Sequence, residues 1–117
     1  MGRLAIDNGG GQHVPPETAH WLEEIIATNH KANMVAAIEA MKAFDSRQWL
    51  QQIKCPTLVI AGAEDEAVPP THAQMLVEGI PDAQLRTIDG VGHFLILTHT
   101  DIFIQTVETF LTSTGQA

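Results

Sequence analysis

The sequence is poor in sulfur, in positive charge and in hydroxyls of the reactive kind. A single cysteine, Cys55, permits no internal disulfide, and serine occurs at Ser46 and Ser113 alone. Lysine and arginine total 6 against 14 aspartates and glutamates, a formal net charge of −8. That sign repels phosphate backbones and anionic lipid headgroups, which argues against nucleic acid or a membrane surface as partner. No run approaches the roughly 20 apolar residues of a membrane span. Residues 1–8 lack the apolar stretch of a secretory signal. Together these absences fit a cytoplasmic protein. What is present is apolar: hydrophobic residues make up 44% and charged residues 17% of 117 positions. That is too apolar for a disordered chain and too short for two full domains.

Organisation follows from punctuation. Asn8-Gly9-Gly10-Gly11-Gln12 reads as a flexible N-terminal segment over 1–14, leaving one α/β domain over 15–117. No phosphate-loop lysine follows the glycines, so no nucleotide cofactor is expected. Val14-Pro15-Pro16-Glu17 is a helix start, and Trp21, Leu22, Ile25 and Ile26 form one stripe of a helix over 16–29. Asn33 is expected to cap a second helix carrying Met34, Ala37, Ile38, Met41 and Phe44. Asp45-Ser46 opens a short third helix with Trp49, Leu50 and Ile53, Ser46 reading as its cap. Tryptophan and methionine at this spacing either pack the core or line an acyl-binding cavity.

The pattern changes at Pro56. Thr57-Leu58-Val59-Ile60-Ala61 is a continuous apolar run closed by Gly62, as in a parallel strand covered on both faces. Residues 70–79 read as a helix, 83–88 as a second strand by their alternation, and 100–112 as a closing helix that Thr100 can cap. Strand, helix, strand, helix is a parallel βαβα unit over 53–112, behind a helical N-terminal half over 15–52. Asp65 falls just beyond the first strand and His93 just beyond the second. Sites in open parallel sheets gather at the carboxyl ends of strands, where a carboxylate beside an imidazole can fix its tautomer. Turn-forming Asp and Gly also occur there for conformational reasons alone. The other histidines, His13, His20, His30, His72 and His99, show no paired ligand spacing, and no metal site is expected. The Glu64-Asp65-Glu66 run reads as a solvated acidic turn, and Cys55 as a small buried hydrophobe.

The wording of residues 53–94 carries a family resemblance. Ile53-Lys54-Cys55-Pro56-Thr57-Leu58-Val59-Ile60-Ala61-Gly62-Ala63-Glu64-Asp65, then Val68-Pro69-Pro70, Ile80-Pro81-Asp82-Ala83-Gln84-Leu85 and Gly90-Val91-Gly92-His93-Phe94 resemble the later part of the α/β-hydrolase fold. Residues 16–52 resemble the tail of that family's cap region. The resemblance implies Asp65 as triad acid and His93 as general base. Phe94, and Trp21, Met34 and Met41 by their helical spacing, are candidate substrate-binding residues. It implies an esterase- or lactonase-like activity on a small acyl or ester ligand. The family's Gly-x-Ser-x-Gly elbow does not occur in this sequence. Leu97-Thr98-His99-Thr100-Asp101 also departs from the family, having neither the glutamate nor the proline often found after the histidine.

Such a chain is expected to be a truncated hydrolase: inactive alone, or a fragment of an active hydrolase that needs an N-terminal half. A two-stranded sheet leaves a bare edge, and a bare edge is a template for another chain. The expected partner is a second copy, most simply in a homodimer formed through the sheet edge or the N-terminal helices.

Overall fold

The computed structural model describes residues 14–115. The expected flexible N-terminal segment, Val14 apart, lies outside the described residues, as does His13. Helix α1 spans Pro16–Thr28, with Pro16 in its first turn and Glu17 just inside. Proline has no N–H to lose there, and the acid faces the positive helix end. Helix α2 spans Lys31–Ala43. Its cap position is His30 rather than the expected Asn33, which sits one turn in and donates its own N–H to the His30 carbonyl at 3.0 Å.

A 3-10 helix, Arg47–Gln52, follows with Ser46 at its cap position. The Ser46 side chain makes no capping hydrogen bond. Asp45 does that work instead: its Oδ1 accepts the Arg47 N–H at 3.0 Å while its Oδ2 holds the guanidinium at 2.6 Å. The carboxyl of Asp45 is lowered to about 2, first by the side-chain hydrogen bond from Arg47 and then by its backbone N–H. Leu50 on this turn is buried, and the missing Cβ of Gly79 leaves the space that its side chain fills.

Strand β1 (Thr57–Gly62) and strand β2 (Ala83–Ile88) run parallel, Thr57 opposite Ala83 and Gly62 opposite Ile88. Helix α3 (Pro70–Gly79) crosses between them and packs on both. A single turn, α4 (Leu95–Thr98), then leads into α5 (Thr100–Ser113). The expected α/β class and the order of the βαβα unit are therefore what the molecule has. Details differ. Thr100 does not cap α5: His99 holds that position, and the Thr100 hydroxyl donates to the Ile96 carbonyl at 2.7 Å. Cys55 is exposed rather than buried, because it stands in the bend before Pro56 and not in the strand.

The expectation that β1 is covered on both faces also fails. Thr57 to Ala61 are only half-buried, and one edge of β1 pairs with no other described strand. Among the described residues four apolar side chains are buried, Leu50, Ile80, Val91 and Leu95. Neither α1 nor α2 has a buried residue. Met41 is 74% exposed and Phe44 66%, although their helical spacing suits a core.

Candidate active site

The site is built where the two strands end together. The register brings Gly62 beside Ile88, and the ladder continues as the Ala63 N–H donates to the Ile88 carbonyl at 2.9 Å. The Glu64 N–H reaches the Val91 carbonyl, also at 2.9 Å. These bonds clamp the loop after β1 to the loop after β2. Glycine is needed at the clamp: a Cβ on Gly62 would collide with the backbone carbonyls of Val91 and Gly92. Gly90 turns the second loop with a φ of +72°, in the region where glycine has no steric cost.

That clamp sets Asp65 against His93. Oδ2 of Asp65 lies 2.9 Å from Nδ1 of His93. Oδ1 of Asp65 accepts the N–H groups of Ala67 at 3.0 Å and Val68 at 2.8 Å, which holds the carboxylate in place. Burial by itself would raise the Asp65 carboxyl. The hydrogen bonds from Val68, His93 and Ala67, with the charge of His93, outweigh it and leave the group below its ordinary value. An ionised carboxylate only accepts, so Nδ1 must carry the proton that lies between them. Nε2 of the neutral ring is then a bare acceptor. The Asp65 side chain is 13% exposed and that of His93 42%, so the acid is sheltered while the imidazole is open to a reacting group. Phe94 packs edge-on against the His93 ring, centroids 5.7 Å apart.

The pair opens on a cavity of about 310 Å³, whose wall includes Val59, Val68, Leu76, Ile96 and Phe103. A neighbouring cavity of about 700 Å³ lies among Met41, Phe44, Leu50 and Met75. Val68, His72 and Leu76 line both. Of the candidate substrate-binding residues, Met41 lines the larger cavity, while Trp21, Met34 and Phe94 line neither. Trp21 is half exposed on α1. Neither serine is hydrogen-bonded to His93: Ser113 donates its hydroxyl to the Phe110 carbonyl at 2.7 Å, and Ser46 lines the larger cavity. The amides of Ala67 and Val68 hold the Asp65 carboxylate, and the bare Cα of Gly62 makes room for the loop that carries His93. Their signal in the sequence was slight: a Gly at a strand end and an Asp two and three residues before the amides it binds. Among the described residues no group of three His, Cys, Asp or Glu side chains could hold a metal ion, and no helix is long and apolar enough to cross a membrane.

A parallel strand pair that carries an aspartate and a histidine in contact at its carboxyl ends is a piece of hydrolase architecture. The chain belongs to the α/β-hydrolase fold family, whose model matches residues 22–100. It is 40% identical over 86 residues to the polyketide synthase ThaQ of Burkholderia thailandensis, covering 74% of this chain and 4% of that protein. It is 32% identical over 103 residues to the poly(3-hydroxyalkanoate) depolymerase of Ectopseudomonas oleovorans, covering 88% of this chain and 36% of that protein. The crystal structure of a bromoperoxidase from Bacillus anthracis superposes with a TM-score of 0.86 over 95% of this chain and 42% of that one, at 24% identity, a likeness of fold. The chain thus spans less than half the length of each of these relatives.

Proposed function

We propose that this chain supplies the acid and the base of a serine-hydrolase-type site acting on a carboxylic ester or lactone. The observation that carries this is the 2.9 Å contact between Asp65 and His93, formed by two loops at the carboxyl ends of adjacent parallel strands and opening on an apolar cavity. In the step proposed, Nε2 of His93 takes the proton of a hydroxyl nucleophile as that oxygen bonds to the substrate carbonyl carbon. Asp65 stays ionised and stabilises the imidazolium. The imidazolium then gives the same proton to the departing alkoxide as the acyl–oxygen bond breaks. Neither serine of this sequence sits at His93, so the nucleophile comes from a separate segment, and the chain alone is inactive.

The test is a chimera. Residues 15–115 replace the matching part of the Ectopseudomonas depolymerase, and turnover of a 4-nitrophenyl ester is measured beside far-ultraviolet circular dichroism. A folded chimera should hydrolyse the ester, and His93→Ala should lower the rate by about 10²–10⁴-fold. A folded chimera that turns over nothing, or does so equally with His93→Ala, overturns the proposal.

A second proposal, self-association, has its own support. An edge of β1 that no described strand pairs, and the exposed Trp21 and Ile38 of the N-terminal half, are surfaces that burial against a second copy would stabilise. Sedimentation at micromolar concentration should give a dimer mass, and a monomer contradicts it.

A further inference from the structure

We infer that His72 is a specificity-determining residue that favours acyl groups carrying a hydrogen-bond donor, a hydroxyl above all. The inference rests on the acyl-transfer proposal and goes beyond it by assigning a substrate class. His72 stands in the first turn of α3, and its Nδ1 lies 3.2 Å from the Pro69 carbonyl oxygen. A carbonyl oxygen can only accept, so the neutral ring must turn Nδ1–H toward it. Nε2 of His72 is then an acceptor. Three residues line both the cavity at His93 and the larger cavity of Met41 and Met75: Val68, His72 and Leu76. Val68 and Leu76 are apolar, so His72 brings the one side-chain hydrogen-bonding group at the junction. An ester whose carbonyl lies at His93 and whose acyl chain extends into the larger cavity runs beside Val68, His72 and Leu76. A purely aliphatic chain beside His72 leaves the Nε2 lone pair without a donor. A hydroxyl on the acyl chain donates to Nε2. Because the ring is exposed, the preference is modest, about three- to tenfold in affinity.

The test is a nuclear magnetic resonance titration of the chain with methyl hexanoate and methyl 3-hydroxyhexanoate. The methyl resonances of Met41 and Met75 and the ring resonances of His72 report binding. The hydroxy ester should bind wild type about three- to tenfold more tightly than the plain ester. His72→Phe and His72→Leu should bind both esters with that preference gone, and His72→Gln, which keeps an acceptor, should retain part of it. Equal affinities for wild type, or a preference unchanged in both apolar variants, overturn the role of His72 and leave the acyl site standing. Failure of both esters to shift any of these resonances overturns the acyl site and this inference with it.

Discussion

Gly62→Ala should unseat His93 without touching either member of the pair. Gly62 closes β1, and an added Cβ would run into the carbonyl oxygens of Val91 and Gly92. Those atoms are backbone and have no rotamer to escape into, so the loop carrying His93 must move. Overpacking of this kind costs about 1–3 kcal/mol. Moving the loop also stretches the 2.9 Å bond from Glu64 N–H to the Val91 carbonyl, worth about 0.5–1.5 kcal/mol. Opposing this, Gly62 does not use a positive φ, so alanine adopts its conformation and gains about 0.4–1 kcal/mol by restricting the unfolded chain. The net loss is about 0.5–4 kcal/mol. For a domain of this size each kcal/mol lowers the unfolding midpoint by about 4 °C. Thermal unfolding followed by circular dichroism gives the midpoint, and the Nδ1–H resonance of His93 reports the contact with Asp65. Gly79→Ala is the control: the atoms nearest its Cβ belong to the Leu50 side chain, so it should destabilise and leave the His93 resonance in place. A Gly62→Ala protein that unfolds at or above wild type with the His93 resonance unchanged would refute the reasoning.

Asp65→Ala strips the acceptor from the Ala67 and Val68 amides and from His93 Nδ1. It should cost about 2–4 kcal/mol in urea unfolding, and a change within 0.5 kcal/mol (roughly the scatter of surface substitutions) contradicts the bonding described. The lowered Asp65 carboxyl also sets a pH dependence. Its contribution is present in full above the ordinary value of 3.8 and is lost as pH falls through the lower value it has when folded. The stability advantage of wild type over Asp65→Asn should therefore shrink in acid, and an advantage unchanged at the lowest pH at which both fold would rule this out.

The order of elements was legible because it rests on local signals. Continuous β-branched residues at 57–61, alternation at 83–88 and prolines at the starts of α1 and α3 each decide their own segment. The neighbourhood of Asp65 and His93 was legible for a topological reason: parallel strands bring their following loops together. What escaped was everything set by contact between elements. The apolar spacing of Met41 and Phe44 is the spacing of a core, yet both are exposed, because burial needs a facing surface that the described residues do not provide. Cys55 is an apolar residue by chemistry and an exposed one by its place in a bend. Asp45 displaced Ser46 as the capping group because Arg47 stands within reach to grip it. The role of Gly62 is invisible along the chain, since the carbonyls that exclude a side chain there come from residues almost thirty positions away.

The claim at the centre is that Asp65 holds the His93 ring with Nδ1 protonated and Nε2 free to take a proton. Nitrogen-15 resonances of the His93 ring, recorded at a pH that leaves it neutral, measure this directly. Nδ1 should carry the proton in wild type. In Asp65→Asn, whose carboxamide can offer an N–H to Nδ1, the proton should move to Nε2. A wild-type ring protonated at Nε2, or one whose tautomers match those of free histidine and ignore the substitution, would contradict it.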